Sequence, residues 1–197
     1  MHRIKALKGF ICQGRKVNVG DLGGFVETKR NLSQAQNDTA WVLDNAFVCG
    51  CAEVYNDATV YGDAKVYGDA KVCGCAEVYG SATVCDNAFV YDFATVCGSA
   101  KVGDNAKVIG FAKVYDDATV CDNAKVCGDA EVCDNAKVCG SAEVGDNAKV
   151  CNYAYISCSE VIYYDDANGI TYMKGRNGIL ISNATFDDFI KTVKANN

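Results

Sequence analysis

The sequence contains no proline, so no turn in it rests on a pyrrolidine ring, and its single histidine is His2. Everything after residue 2 therefore lacks the commonest general base of enzyme catalysis. No apolar run approaches the ~18 residues of a membrane span, and the N-terminal Met1-His2-Arg3-Ile4-Lys5 lacks the apolar core of a secretory signal. Neither a membrane association nor export is expected, and a cytoplasmic location follows. Cationic excess is also missing. With 19 basic against 25 acidic residues and a net charge of -6, a nucleic-acid partner is not expected. The thirteen cysteines are odd in number, and the chain is neither small nor equipped for export, so they read as reduced thiols rather than a disulfide framework. At 197 residues and 50% hydrophobic, the chain is long enough to bury a core as one domain or two small ones.

What is present is a repeat. Alanine recurs at every sixth position from Ala40 to Ala154, twenty times without a break, and a valine stands two residues after each from Val42 to Val150, ending with Ile156. A fixed six-residue period of small and branched apolar residues signals a β-helix of hexapeptide repeats. A helical reading fails because six is not a multiple of 3.6 and every unit carries a turn residue. In Ala64-Lys65-Val66-Tyr67-Gly68-Asp69, Ala64 and Val66 point inward, Lys65 and Tyr67 point outward, and Gly68-Asp69 makes the corner.

Between residues 44 and 153 there are nineteen such corners, and the first member is always Gly, Asp or Asn, the residues that reach positive φ most readily. The second is Asp, Asn or Ser in fourteen of them, where a short polar side chain bonds neighbouring backbone. Three strands and three corners close a triangular coil of 18 residues, so residues 40–156 make six and a half coils. At ~4.8 Å per stacked strand the rod is roughly 30 Å long. Its narrow bore takes one valine and one alanine per strand, and larger groups would overpack it at ~1–3 kcal/mol each.

A stack of this kind needs its open ends covered. Residues 1–39 break the register and form an N-terminal cap, with the glycine-rich Val19-Gly20-Asp21-Leu22-Gly23-Gly24-Phe25-Val26 suited to tight turns. Residues 157–197 form a C-terminal cap. Val161–Tyr164, Ile170–Lys174 and Ile179–Ser182 read as short strands linked through Asn168-Gly169 and Asn177-Gly178, a strong hairpin signal. Thr185 and Asp188 mark a helix start, and Phe186, Phe189, Ile190 and Val193 share one helical face, expected to pack on the last coil.

Repeat and ends together resemble a family of bacterial and phage hexapeptide-repeat proteins built as single-stranded left-handed β-helices. At the N-terminus the resemblance rests on Arg3-Ile4, Ala6-Leu7, Gly20-Asp21-Leu22-Gly23-Gly24-Phe25-Val26-Glu27, Asn31-Leu32-Ser33-Gln34, Trp41-Val42 and Asp44-Asn45-Ala46. At the C-terminus it rests on Ile170-Thr171-Tyr172, Gly178-Ile179 and the segment from Thr185 to Val193. It covers almost the whole chain and implies left-handed coiling of the all-β, parallel β-helix. Family members often carry Cys-Gly-Cys-Phe before the last helix, where this chain has Ser182-Asn183-Ala184-Thr185-Phe186.

The best-known hexapeptide β-helices are acyltransferases that use an acyl-coenzyme A donor and a histidine base at a subunit crevice. Here there is no histidine after residue 2 and no insertion in twenty repeats, so an enzyme is not expected; a degenerate acyltransferase remains the alternative. Nine cysteines (Cys49, Cys73, Cys85, Cys97, Cys121, Cys127, Cys133, Cys139 and Cys151) occupy the outward site after the core valine, shared mainly with tyrosine. Cys121 with Cys139, and Cys133 with Cys151, are one coil apart and stack within disulfide reach, although a reducing compartment argues against the bond. Cys49-Gly50-Cys51 and Cys73-Gly74-Cys75 lack zinc-site spacing and sit on different sides. No metal, cofactor or catalytic residue is assigned. Corner aspartates lack the calcium β-roll pattern, outward threonines at 59, 83, 95 and 119 form no regular array, and Lys113, Glu131 and Lys149 stack as an ion ladder on a solvated face.

One departure from the consensus remains. Phe93 and Phe111 fall at corners one coil apart, Tyr91 stacks on Ile109, and Phe89 lies beside them. Scattered exposed aromatics need no explanation, but a contiguous patch marks a contact surface. Phe89, Tyr91, Phe93, Ile109 and Phe111 are therefore the candidate interface, with the stacked Tyr61 and Tyr79 a weaker second. The expected function is a non-catalytic β-solenoid scaffold or binding protein that forms a homo-oligomer through this patch. The other readings are a protein partner and a phage-associated protein that captures a small ligand or host protein.

Overall fold

The computed structural model describes residues 1–157 and the backbone of three further strands, Val161–Asp165, Ile170–Gly175 and Gly178–Ser182. The repeat winds into a β-solenoid. Each unit gives a two-residue strand made of the outward residue and the valine, and units 18 residues apart pair in parallel, as in Lys71↔Phe89 and Val72↔Val90. The three faces begin at Phe47–Val48 (first), Glu53–Val54 (second) and Trp41–Val42 (third). The rungs are backbone hydrogen bonds from each residue to the one 17 further on. Asn45, Phe47 and Cys49 N–H donate to Gly62, Ala64 and Val66 C=O at 3.0 Å each.

The inward set is as read from the period: the valines from Val42 to Val150 are completely buried, and the alanines from Ala40 to Ala148 and Ile156 are buried with them. Each valine contributes roughly 1.5–3 kcal/mol of burial. All nineteen first corner residues have positive φ, between 52° and 77°. Where the corner is an aspartate, its carboxylate does more than tolerate the turn. Asp44, Asp86, Asp104, Asp116, Asp122 and Asp134 each accept the N–H of the corner residue one coil on, at 2.8–3.4 Å. A side chain thus satisfies a donor that the strand ladder leaves over.

Stacking runs past residue 40 toward the N-terminus. Four strands form there: β1 (His2–Lys5), β2 (Phe10–Cys12), β3 (Arg15–Val17) and β4 (Leu22–Val26). Val26 of β4 pairs in parallel with Val48, and Leu32 bridges to Val54, so Val26, Leu32 and Val42 make one more lap. Ten residues separate Leu32 from Val42 where the repeat has six, which hides this lap from the period. Gly23 and Gly24 are not in turns as the sequence suggested but inside β4, packed on the end of the bore. A Cβ on Gly23 would collide with the Val42 carbonyl oxygen, and one on Gly24 would lie 2.6 Å from that of Ala46. β1 pairs antiparallel with β4 and covers the open edge. The buried Asn31 seals the corner: its Nδ2 donates to Gly50 O at 3.0 Å and Ala52 O at 2.8 Å, and its Oδ1 accepts from Thr28 N at 2.7 Å.

β2 and β3 form a hairpin that folds back over the outside of the third face. Phe10 meets Trp41 edge-on with ring centroids 5.4 Å apart, Cys12 Sγ lies 3.1 Å from Thr59 Oγ1, and the Arg15 guanidinium sits 4.4 Å over the Tyr61 ring. Trp41 and Thr59 point outward from the bore yet are buried beneath this hairpin.

At the other end, Glu143–Asp146 pairs in parallel with Val161–Asp165, keeping the 18-residue register through Val144↔Ile162. Ile170–Gly175 and Gly178–Ser182 then add antiparallel. The three strands expected from the sequence are therefore formed. The helix expected over 185–193 and the Asn-Gly links lie outside the described residues, except for Gly178.

Candidate functional site

Outward positions and the second residue of each corner are free to vary, since packing fixes the bore and a positive φ constrains the first corner residue. At the corner between the second and third faces, the Phe93 and Phe111 rings stack 4.9 Å apart and 7° from parallel, 54% and 56% exposed. Phe89 stacks against Tyr91, with centroids 4.6 Å apart at 30°. Tyr91 and Ile109 are half-buried and adjacent in register, Tyr91 N donating to Val108 O at 3.1 Å. The structure thus forms both ring pairs at one edge of the rod. Tyr61 and Tyr79 also stack, 4.7 Å apart and 9° from parallel, but Arg15 of the N-terminal hairpin covers Tyr61.

From Phe93 and Phe111 an open groove of about 540 Å³ runs onto the third face, lined by Lys113, Asp129, Glu131, Asn147 and Lys149. The ion ladder is formed there: Glu131 lies 3.6 Å from Lys113 Nζ and 3.3 Å from Lys149 Nζ, and Tyr115 OH donates to it at 3.1 Å. Burial alone would raise the Glu131 carboxyl, but the Tyr115 hydroxyl and Lys149 hold it below its ordinary value. Tyr115 and Glu131 in turn push the Lys149 ammonium up.

The sites after each valine form columns of Tyr and Cys. Tyr55, Tyr67, Tyr79 and Tyr115 stand near enough to the thiol one coil on, at Cys73, Cys85, Cys97 and Cys133, for each hydroxyl to be raised by it. Burial pushes the Cys85 and Cys121 thiols up to about 11 and raises Cys73, Cys127 and Cys133 as well. These thiols stay protonated at neutral pH and are poor nucleophiles.

A second concavity escaped the sequence reading. Between β1, the turn after it and the 29–40 segment lies a cavity of about 490 Å³ whose apolar wall includes Ile4, Phe10, Val26, Leu32 and Trp41, with Lys8 at its rim. Non-repeating segments build it, and only the six-residue step from Val26 to Leu32 hinted at its floor. No helix among the described residues is long and apolar enough to cross a membrane. The chain matches no protein-family model and no curated protein, so a functional reading rests on fold and surface.

Proposed function

We propose that the chain is a non-catalytic β-solenoid scaffold that pairs with a second copy of itself through the Phe93–Phe111 corner. The observation that carries this is two co-stacked phenylalanines, each more than half exposed, at a corner position that holds Asp, Asn or Ser in fourteen of the nineteen corners. Hiding both rings on both copies removes on the order of 400 Å² of apolar surface, about 10 kcal/mol at ~25 cal/mol/Å². Association itself costs ~4–15 kcal/mol, so the groove beside the rings decides the affinity. Its charges alternate Lys113, Glu131, Lys149, and a copy reversed and offset by one rung meets it with opposite sign. The non-catalytic reading rests on the protonated thiols and on the position of the single histidine at residue 2.

Sedimentation velocity tests this. The wild type is expected to show twice the 21.0 kDa chain mass, and the Phe93→Ser/Phe111→Ser double variant the single mass with an unchanged thermal melt. A monomeric wild type, or a variant of unaltered mass, overturns the reading.

A further inference from the structure

Two of the thiol columns hold cysteines in consecutive coils. On the first face these are Cys121 and Cys139, and on the third Cys133 and Cys151; in each pair the upstream cysteine is followed by an aspartate at the corner. The two Sγ atoms and one carboxylate oxygen of Cys121, Asp122 and Cys139 lie within 4.8 Å of one another, and so do those of Cys133, Asp134 and Cys151. We propose that each of these two constellations binds one thiophilic divalent cation of the zinc class, with two thiolates and one carboxylate as ligands and a water in the fourth tetrahedral position.

The fold fixes the donors before any ion arrives. Cys139 and Cys121 occupy equivalent places on paired strands, with Cys121 N donating to Val138 O at 3.0 Å, and Cys133 N is tied to Val150 O at 2.9 Å. Each aspartate is held at positive φ, 59° at Asp122 and 57° at Asp134. Each is also anchored through Oδ2, which accepts Gly140 N at 2.9 Å or Asn152 N at 2.8 Å, and at the second site the Cys133 thiol faces that same Asp134 oxygen at 4.0 Å. Zinc holds thiolate sulfur at ~2.3 Å and carboxylate oxygen at ~2.0–2.2 Å, so rotation of the side chains alone brings donors this close onto one ion. A soft, two-sulfur donor set selects zinc or cadmium over magnesium or calcium. Binding releases both thiol protons to water. Three anionic donors then exceed a divalent charge by one, and Lys137 and Lys149 stand near enough to act on the two sites' thiols. Polar groups also face the sulfurs: Tyr155 OH lies 3.3 Å from Cys139 Sγ, and Asn152 Nδ2 donates to Cys151 Sγ at 3.3 Å.

The molecule contains its own control. Cys85 donates to the Asp86 carboxylate at 3.0 Å, the same Cys-Asp step, but the next coil offers Gly103 in place of a second thiol. Asp86 and Cys85 alone make no three-ligand set.

Equilibrium dialysis of the reduced chain against zinc chloride, read by elemental analysis, is expected to give two bound ions. Cys121→Ser and Cys151→Ser, which alter half-exposed thiols, should each remove one, and the double variant both, with metal-free melting unchanged. Loading with cobalt(II) should give a thiolate charge-transfer band that falls by half in each single variant. Asp122→Asn/Asp134→Asn should weaken binding about tenfold or more without removing the thiolate band. A double cysteine variant that binds as much zinc as wild type, or a Cys97→Ser variant that loses an ion, overturns the assignment.

Discussion

The repeat and the N-terminal cap hold themselves together in opposite ways. From residue 40 to 156 the bore is valine on alanine, one pair per strand, and the rungs are backbone hydrogen bonds of nearly constant length. No single side chain is special there; the stack is a sum of equal neighbours. Residues 1–39 rely on individual contacts: Asn31 plugging a corner, Gly23 and Gly24 admitting the backbone, Phe10 on Trp41 and Gln13 Nε2 reaching Asp57 O and Cys75 O. Cooperativity belongs to the repeat and specificity to the cap.

That contrast can be broken most severely from inside the bore. Val96→Asp places an unpaired carboxyl at a completely buried site, and even when it takes up a proton its desolvation costs several kcal/mol against the ~5–15 kcal/mol that holds a domain folded. The expected outcome is loss of the cooperative melt and of β-type circular dichroism. Asn31→Ala should be milder, about 1–3 kcal/mol, because it strands only the Gly50 and Ala52 carbonyls, where the first coil of the repeat meets the cap. Hydrogen exchange should then accelerate in the first laps while the amides of the middle coils stay protected.

Phe10→Ala should cost less still, since Phe10 is half-buried, yet it uncovers Trp41, the only tryptophan in the chain. A red shift in intrinsic emission with a melt lowered by a few degrees would confirm that the hairpin lies on the third face. Gly103→Cys should barely move stability, because Gly103 has ordinary φ and its added Cβ meets Cys85 Sγ at 3.2 Å, a gap a thiol can widen. It should raise zinc stoichiometry from two to three by completing the Cys85-Asp86 set. The smallest effect is electrostatic. The lowered Glu131 carboxyl contributes stability that is complete above its unfolded value of about 4.3 and is lost as pH falls through the lower folded one. Glu131→Gln should therefore flatten the acid limb of melting temperature against pH and leave the neutral plateau nearly unchanged.

Where the physics repeats, the sequence was legible. Period six dictated the inward set, the corner chemistry dictated nineteen positive-φ residues, and the 18-residue lap put Phe93 on Phe111 and Lys113, Glu131 and Lys149 in one column. Where contacts join segments without a shared period, it was not. Cys12 meets Thr59 across 47 residues, and nothing in either neighbourhood announces it. The glycines of β4 looked like turn formers because close approach of two backbones leaves the same mark in a sequence as a left-handed φ. The stacked thiol pairs could be read from spacing, but the approach of Asp122 and Asp134 could not, since it depends on a side-chain direction set by the next coil's N–H.

Because every rung joins a residue to the one seventeen places on, the height of the rod is a quantity that can change in whole steps without touching anything else. Excising eighteen consecutive residues from the middle shortens the molecule by ~4.8 Å and returns each downstream column to its own side. Excising six rotates all that follows by a third of a revolution, so aromatic edge, charged column and thiol pairs exchange sides together. A gene encoding such a chain can alter the spacing between its two ends like beads on a thread, provided the beads are added or lost in threes.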